Sequence, residues 1–475
     1  MKLAYPTSHS DPRAARGTVL IIVLWIAIGL VSIALYFANS MTYELRASDN
    51  RTSGLESEQA IEGAARYMTY VLTAYATNGA VPLNTQFKCQ AVPVGDAQFW
   101  LIGRDPSETP SSDPTFGLVD EASKLNANYA TTNALYNLPN MTIDLADAIV
   151  DWRSTNGLGT LSLNYSTLGY EDKHEPFESV DELRLVYGMT FDLLYGNDLN
   201  HNGVLDTSEQ KSGAITEVEP GLAEYLTVYT REPNFDPVDG SSLTNVNTAT
   251  RTDLQTLFQD EGVGNATRLA GQVYNSIHGS TYTRGASPTC QGILDLCRRC
   301  KTYGMSSDDF AKIYPYVTTS TASYIRGRVN INTASETVLT ALFMGLGIDQ
   351  STADSAAQTM VTYRQQNPDN LNSVAWMIDA LGATSSVAMT TATSGDFVTA
   401  RSYQFMADIA AVGPYGRGYR RVKFIFDTSD GTPKIIYRQD LSQLGWALGD
   451  KARQTLVANV TGNTSATANA NGSNE

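Results

Sequence analysis

The feature that most constrains this chain is an uninterrupted apolar stretch over residues 18–38. It contains no charged residue, no proline and a single glycine. A helix of this length crosses the hydrocarbon core of a bilayer, where it satisfies its own backbone hydrogen bonds. A buried core helix rarely stays uncharged for so long, and the small residues after Ala38 leave cleavage of a secretory signal open. The sequence therefore predicts one membrane-spanning helix over residues 18–38.

The residues before this stretch are polar and basic. They include Lys2, Arg13 and Arg16 and end at Gly17, so that polarity changes abruptly between Gly17 and Thr18. This arrangement resembles a prepilin leader, residues 1–17. The resemblance implies that a prepilin peptidase cuts after Gly17 and that Thr18 becomes a methylated N-terminus. Basic residues on the leader side favour a cytoplasmic N-terminus, so we expect the rest of the chain on the outer side of the membrane.

The helix is expected to continue beyond the membrane. No proline occurs between residues 18 and 81, and Ile61, Met68 and Leu72 belong to an apolar series at helical spacing. We therefore predict that residues 39–80 extend the helix as an amphipathic spine that covers a folded domain.

A sequence pattern, N-x-N-x-A-[ST]-x-x-x-L, occurs three times, beginning at Asn126, Asn245 and Asn330. In each copy a second apolar-faced segment follows, which predicts two short helices joined by a turn. The second copy is weaker beyond Leu257. Residues 118–393 are predicted to form one helical domain built from these copies.

Strand-like patterns flank the helical region on both sides. They cover residues 98–102, 403–409, 421–426 and 434–438. We therefore predict an α+β fold with a pilin-like long N-terminal helix and a small antiparallel sheet. The sheet begins in residues 81–117 and finishes in residues 394–447, with the helical domain inserted between. The Asn-, Thr- and Ala-rich tail, residues 448–475, is predicted to be disordered.

The sharpest local motif lies in residues 198–209, which match the EF-hand-like calcium loop D-x-[DN]-x-[DN]-G-x5-E at every fixed position. Calcium takes six to eight oxygen ligands, and a twelve-residue loop wraps around the ion to supply them. A solvated Asn-Gly turn is the alternative. We expect Ca²⁺ to lock this loop rather than to catalyse. The predicted ligands are Asp198, Asn200, Asn202, the carbonyl of Val204, Asp206 (directly or through water) and Glu209.

Three of the four cysteines, Cys290, Cys297 and Cys300, lie close together in the sequence, and Cys89 lies far from them. Disulfides persist outside the cytoplasm, so we predict one local disulfide among these three and leave the pairing open. Zinc, with His278 or Cys89 as a fourth ligand, is the less favoured alternative.

Composition argues against an enzyme and against a nucleic-acid-binding protein. The formal net charge is −16, which disfavours contact with phosphate. The chain has four histidines and lacks the G-x-S-x-G, H-E-x-x-H and Walker motifs. We therefore expect a structural protein that binds no nucleic acid.

Longer phrases resemble minor pseudopilin K of type II secretion. They lie at residues 148–153, 177–190, 225–234 and 328–334, and they read AIVDWR, FESVDELRLVYGMT, YLTVYTREPN and RVNINTA. Ile22 lies at the fifth mature position, where pilin-like proteins usually carry Glu, and the absence of that Glu also resembles this family. The departures are a Ser- and Thr-rich stretch at 237–283 and the polar tail.

This resemblance implies a single-pass inner-membrane protein with the bulk of its chain in the periplasm. It implies that the subunit forms or caps the tip of a pseudopilus and helps to initiate its assembly for protein export. The implied partners are the I- and J-type minor pseudopilins, the major pseudopilin and the prepilin peptidase. Pseudopilins of this kind bind calcium in the region of residues 198–209.

The helix pairs suggest an alternative function. They resemble the helix-hairpin-helix, and the third copy resembles a competence protein that receives DNA outside the membrane. This predicts a membrane-anchored DNA receptor. Glu336, Asp349 and Asp354 surround the third turn, and their charge argues against phosphate binding.

Overall fold

The computed structural model describes residues 14–104, 113–155, 162–206, 209, 218–279, 289–382 and 387–458. Residues 1–13 of the predicted leader lie outside this description. The strands are β1 (Val92–Val94), β2 (Ala97–Ile102), β3 (Val119–Asp120), β4 (Leu125–Asn126), β5 (Leu226–Thr227), β6 (Arg231–Pro233), β7 (Thr244–Asn245), β8 (Val317–Thr318), β9 (Tyr324–Arg326), β10 (Val329–Asn330), β11 (Val398–Thr399), β12 (Gln404–Val412), β13 (Arg420–Asp427) and β14 (Lys434–Asp440). The α-helices are α1 (Ala14–Thr73), α2 (Thr132–Tyr136), α3 (Ile143–Arg153), α4 (Ser162–Leu168), α5 (Phe191–Tyr195), α6 (Arg251–Asp260), α7 (Ala266–His278), α8 (Ile293–Thr302), α9 (Ser307–Ile313), α10 (Glu336–Gly345), α11 (Gln350–Gln366), α12 (Ala375–Leu381) and α13 (Val387–Ala392).

Helix α1 is one continuous element of 60 residues. Side chains 19–52 are exposed on all sides of the helix. Farther along, Ala60, Ala64, Met68 and Leu72 are fully buried at intervals of four residues, which places them on one face. The helix ends at Thr73, seven residues before the predicted end of the spine.

The sheet has six strands in the order β1-β2-β12-β13-β14, with β3 pairing with the far part of β12, and its neighbouring strands are antiparallel. One face packs on α1 through alternating apolar residues, among them Phe99, Leu101, Phe405, Ile409 and Phe424. The predicted α+β fold, with a long N-terminal helix, an antiparallel sheet and an inserted helical domain, is confirmed. Because β3 belongs to the sheet, the insertion begins after Asp120, slightly later than predicted.

The prediction of disorder from residue 448 is wrong for its first part. Residues 449–458 are helical. The cause is an apolar anchor: Leu448, Ala452 and Leu456 pack with Trp446 on the second face of the sheet. The prediction missed this short apolar segment because most residues of the tail are Asn, Thr, Ala and other small or polar residues. Residues 459–475 lie outside the described part of the chain.

The inserted domain contains three units with the same framework, which we call the first (125–230), second (244–320) and third (329–402) units. Each begins with a two-residue strand that leads into the N-x-N turn and a pair of helices. Each ends with a two-residue strand that returns parallel to the first strand. The pairs are β4 with β5, β7 with β8, and β10 with β11. The second unit, which looked weak in the sequence, has both helices, α6 and α7.

The same hydrogen bonds fix the turn in all three units. The first asparagine accepts, through its side-chain oxygen, the amide proton of the second asparagine, at 2.9, 3.0 and 3.0 Å in the first, second and third units. A hydroxyl then caps the helix that follows, and the capping residues are Thr131, Thr250 and Ser335. The turn therefore satisfies its own backbone donors, which explains why asparagine recurs there.

The second helix of each unit closes back onto the turn through its last basic residue. Arg153 donates to the carbonyls of Ala127 and Ala130. Arg364 donates to the carbonyls of the matching positions in the third unit, Ile331 and Ala334. In the second unit His278 occupies this place, with its Nε2 3.1 Å from the carbonyl of Asn247.

Candidate metal centre

The predicted calcium loop follows α5 and is wrapped by its own side chains. The Asp198 carboxylate accepts the backbone amides of Asn202 at 3.1 Å and Gly203 at 2.6 Å. Gly203 has a φ of 86°, a conformation that favours glycine and permits the sharp turn. Residues 207–208 and 210–217 are outside the described residues, so the far side of the loop is described only at Glu209.

Glu209 closes the loop from its other end. Its Oε1 accepts the amide of Asn200 at 2.9 Å, and its Oε2 accepts the amide of Asp206 at 3.0 Å. The side-chain amides of Asn200 and Asn202 both donate to Oδ2 of Asp206. The five predicted side-chain ligands are thus joined by direct hydrogen bonds. Val204, the sixth, donates its backbone amide to Oδ1 of Asn202 at 2.9 Å.

One oxygen of the loop has no partner. Oδ1 of Asn200 is buried and accepts no hydrogen bond from the described residues. A buried acceptor without a donor is costly, and a cation would satisfy it. Among the residues that the structure describes, no group of three or more His, Cys, Asp or Glu side chains is arranged to hold a metal. The predicted set has only three carboxylates, and its other donors are two amides and one carbonyl.

The charges around the loop are partly buried. Burial raises the pKa of the Asp198 carboxyl to about 6, with Arg104 acting in the opposite direction. Burial also lowers the pKa of His201 to about 4, and Arg421 and Arg104 lower it further. The loop therefore keeps a neutral histidine beside one carboxylate, that of Asp198, which burial makes costly to ionise.

Two arginines, which we call the arginine clamp (Arg104 and Arg421), hold the loop against the sheet. Arg421 is fully buried, donates to both carboxylate oxygens of Asp408 at 2.8 and 2.6 Å, and donates to the carbonyls of Asn200 and His201. Arg104 donates to the carbonyl of His201 at 2.9 Å.

Each clamp arginine has a carboxylate of its own. Arg104 donates from Nε to both oxygens of Glu224, at 2.8 and 2.9 Å. Each arginine is paired with a carboxylate, which cancels most of its positive charge. The two arginines can therefore bind the loop with little electrostatic repulsion of a cation bound there. A cavity of about 980 Å³ lies beside the clamp, between the insertion and the sheet. The loop thus joins the inserted domain to the six-stranded sheet.

Sequence reasoning did not find the clamp. Arg421 is 221 residues away from Asn200. An arginine in a strand of alternating polar and apolar residues does not indicate which residue it binds. The one available signal is that Arg421 and Lys423 alternate with apolar residues on β13, which indicates that this face of the strand carries charge.

The cysteines are all free thiols in this structure. Cys290, Cys297 and Cys300 are each at most 3% exposed and lie in or just before α8. Burial raises the pKa of Cys300 to about 12 and that of Cys297 well above its ordinary value. The predicted local disulfide remains a prediction.

The predicted cleavage position lies within α1, which begins at Ala14, so Gly17 and Thr18 have helical backbone. Among the described residues one helix, Val19–Thr73, is long and apolar enough to cross a membrane by length and composition.

No family model matches this chain, and no curated protein matches it. Among solved structures it is similar to a chain of the GspK-GspI-GspJ complex from the type 2 secretion system of enterotoxigenic Escherichia coli. The identity is 11% and the TM-score 0.39, and the match covers 82% of this chain and 98% of that chain.

Proposed function

We propose that this chain is a minor pseudopilin of a type II secretion system that forms or caps the tip of the pseudopilus. The observation that carries the proposal is the division of α1. Its first part, residues 19–52, is exposed and begins with an apolar stretch, whereas its later part is buried on the sheet. An apolar helix of this length without an intramolecular partner suits a bilayer first and helix packing with other subunits next.

The missing acid fits a subunit at the tip. Ile22 lies at the fifth position after the predicted cut. A carboxylate at that depth is favourable only where a partner charge faces it, and a subunit with no neighbour above has no such partner. We propose cleavage after Gly17 and methylation of Thr18 by the prepilin peptidase, with the I- and J-type minor pseudopilins and the major pseudopilin as partners.

Mass spectrometry of the mature N-terminus from native membranes tests this proposal. We expect a chain that begins at methylated Thr18. A chain that begins at Met1, or after Ala38, would overturn the pseudopilin assignment. The Gly17→Asp variant serves as a control, because it should retain the leader if cleavage follows the glycine.

For the loop we propose bound calcium. The carboxylates of Asp198, Asp206 and Glu209, the amide oxygens of Asn200 and Asn202 and the carbonyl of Val204 would hold it. Calcium would supply charge neutralisation and cross-linking within the loop, and the arginine clamp would carry that rigidity to the sheet. The role is structural, with no catalytic step.

Thermal unfolding with and without calcium tests this second proposal. At a calcium concentration of about 100 times the Kd, the gain in unfolding free energy is about 2.7 kcal/mol. Glu209→Gln should lose most of this gain, whereas Glu219→Gln, an exposed carboxylate beyond the loop, should keep it. Equal melting temperatures of the unmodified protein with calcium and with chelator would exclude the metal.

A further inference from the structure

Exposed apolar side chains are distributed unevenly among the three units. Among the described residues, the second unit has one exposed large apolar residue, Tyr316, and the third has none. The first unit has eight: Tyr129, Tyr136, Ile143, Leu168, Leu185, Tyr187, Phe191 and Leu199. Scattered exposed apolar residues are ordinary, but a concentration in one of three similar units marks a surface with a partner.

The shared framework provides an internal control for this observation. The three units can be aligned on the first asparagine of each turn and on the basic residue that contacts the turn (Arg153, His278 and Arg364). Three of the exposed positions then have a counterpart in every unit. The first unit carries Tyr129, Tyr136 and Ile143, whereas the second carries Thr248, Gln255 and Arg268, and the third carries Thr333, Thr340 and Asp354. The framework itself therefore does not require apolar residues there.

Several of the exposed residues lie on neighbouring segments. Gly188 lies against the first turn of α3, because a Cβ built on it would be 4.0 Å from Cδ1 of Leu145. Ile143 begins that turn, Tyr187 directly precedes Gly188, and Phe191 begins α5 just after it. We call Ile143, Leu185, Tyr187 and Phe191 the apolar patch.

The segment of the chain that carries the apolar patch is strongly acidic. Residues 129–199 contain eleven Asp and Glu and three Lys and Arg, so their net charge of −8 is half of the −16 of the whole chain. Asp144 and Asp192 are exposed next to Ile143 and Phe191. Of the three basic residues, Arg153 is bound to backbone carbonyls, and Lys173 lies within 3.3 Å of carboxylate oxygens of Glu178 and Glu182. The third, Arg184, is exposed next to Leu185.

We infer that the apolar patch docks a protein partner whose contact surface has an apolar centre bordered by Lys and Arg. Charge selects this occupant. A second copy of this chain would place one acidic rim against another, and an anionic bilayer or a nucleic acid would also be repelled. The inference goes beyond the proposed function, because it uses only the surface of the first unit and does not require assembly of a pseudopilus.

The test is site-specific photo-crosslinking of the full chain in its native cells. A photoreactive phenylalanine analogue replaces Tyr187, and the adduct is identified by mass spectrometry at the level of the cross-linked peptide. The same analogue at Val238, which is 73% exposed and lies outside the units, is the control. A second version of the Tyr187 probe carries Asp144→Lys and Asp192→Lys. Its melting temperature should stay within about 2 °C of that of the unreversed probe, since both sites are exposed.

The inference predicts a protein adduct from position 187 but not from position 238, formed on a peptide bordered by Lys or Arg. The double charge reversal should reduce that adduct by about tenfold. Four results would overturn it: no adduct, an adduct only with lipid, an adduct with a second copy of the chain, or a protein adduct that the charge reversal leaves unchanged.

Discussion

The first and third units share one framework but are attached to the sheet in different ways. The first unit is held by the arginine clamp, which grips backbone carbonyls of the loop at 198–209. The third unit is held by Asp120, whose carboxylate accepts from Asn330, Thr333 and Ser402. The first attachment depends on a loop that a cation could stiffen, and the second uses framework residues alone. One framework is therefore attached to the sheet by two different kinds of contact in the same domain.

Removing the buried arginine of the clamp should have the largest effect. Arg421→Met leaves the Asp408 carboxylate buried without its partner, which costs about 3–5 kcal/mol of unfolding free energy. Arg417→Met is the matched control, because Arg417 is half exposed and its 3.5 Å contact with Asp49 is on the surface. That change should cost at most about 0.5 kcal/mol. Similar losses in denaturant unfolding of the two variants would contradict the importance assigned to the clamp.

The attachment of the third unit should respond to pH. Burial raises the pKa of Asp120 to about 6 from 3.8, against four hydrogen bonds that lower it. The folded state therefore binds the proton more tightly than the unfolded state, and stability falls as pH rises from about 4 to about 6. The loss for a shift of this size is about 3 kcal/mol.

Asp120→Asn isolates this contribution. The amide should remove the part of the loss between pH 4 and pH 6 that belongs to Asp120 and leave the part that belongs to Asp198, whose pKa burial also raises to about 6. Any constant cost of the amide would displace the whole stability curve without changing its slope. Chemical unfolding at several pH values gives the slope directly. If the variant keeps the slope of the unmodified protein, another group titrates and the assignment to Asp120 is wrong.

The same framework position should matter differently in different units. Asn330 is fully buried and donates to Asp120 at 2.9 Å and to Ser402 at 2.8 Å, so Asn330→Ala should cost about 2–3 kcal/mol. Asn245 is only partly buried and donates to the carbonyl of Ser320, so Asn245→Ala should cost about 1 kcal/mol. Thermal unfolding that ranks the two in the reverse order would show that the units are not held as described.

The sequence predicted structure correctly where a turn or loop needs particular residues at fixed spacing. The N-x-N turns and the loop at 198–209 were found because one short segment contains all of the interacting side chains. The strands of the sheet were found because one face is apolar and they alternate. The second unit looked weak beyond Leu257, although both of its helices are present and His278 contacts the turn at the carbonyl of Asn247.

The sequence was uninformative where partners are distant or elements are very short. The returning strands have two residues each, so they carry no periodicity, although each ends in threonine (Thr227, Thr318 and Thr399). The loop carbonyls that Arg421 contacts, and the side chains of the third unit that donate to Asp120, come from segments more than 200 residues away, and only the folded chain brings them together. The helix at 449–458 was missed because the polar tail dominated the local composition.

The smallest expected effect concerns the surface of the first unit. Replacing Tyr136 with the Thr of the third unit, and Ile143 with its Asp, should each change the unfolding free energy by no more than about 0.5 kcal/mol, because both side chains are nearly half exposed. Leu135→Thr, one residue away and fully buried, should cost about 3 kcal/mol and serves as the control. If the Tyr136 and Ile143 variants also lose several kcal/mol, these side chains hold the unit together. If they do not, stability gives no reason for apolar residues at positions where the other two units are polar, and contact with another molecule is the remaining explanation.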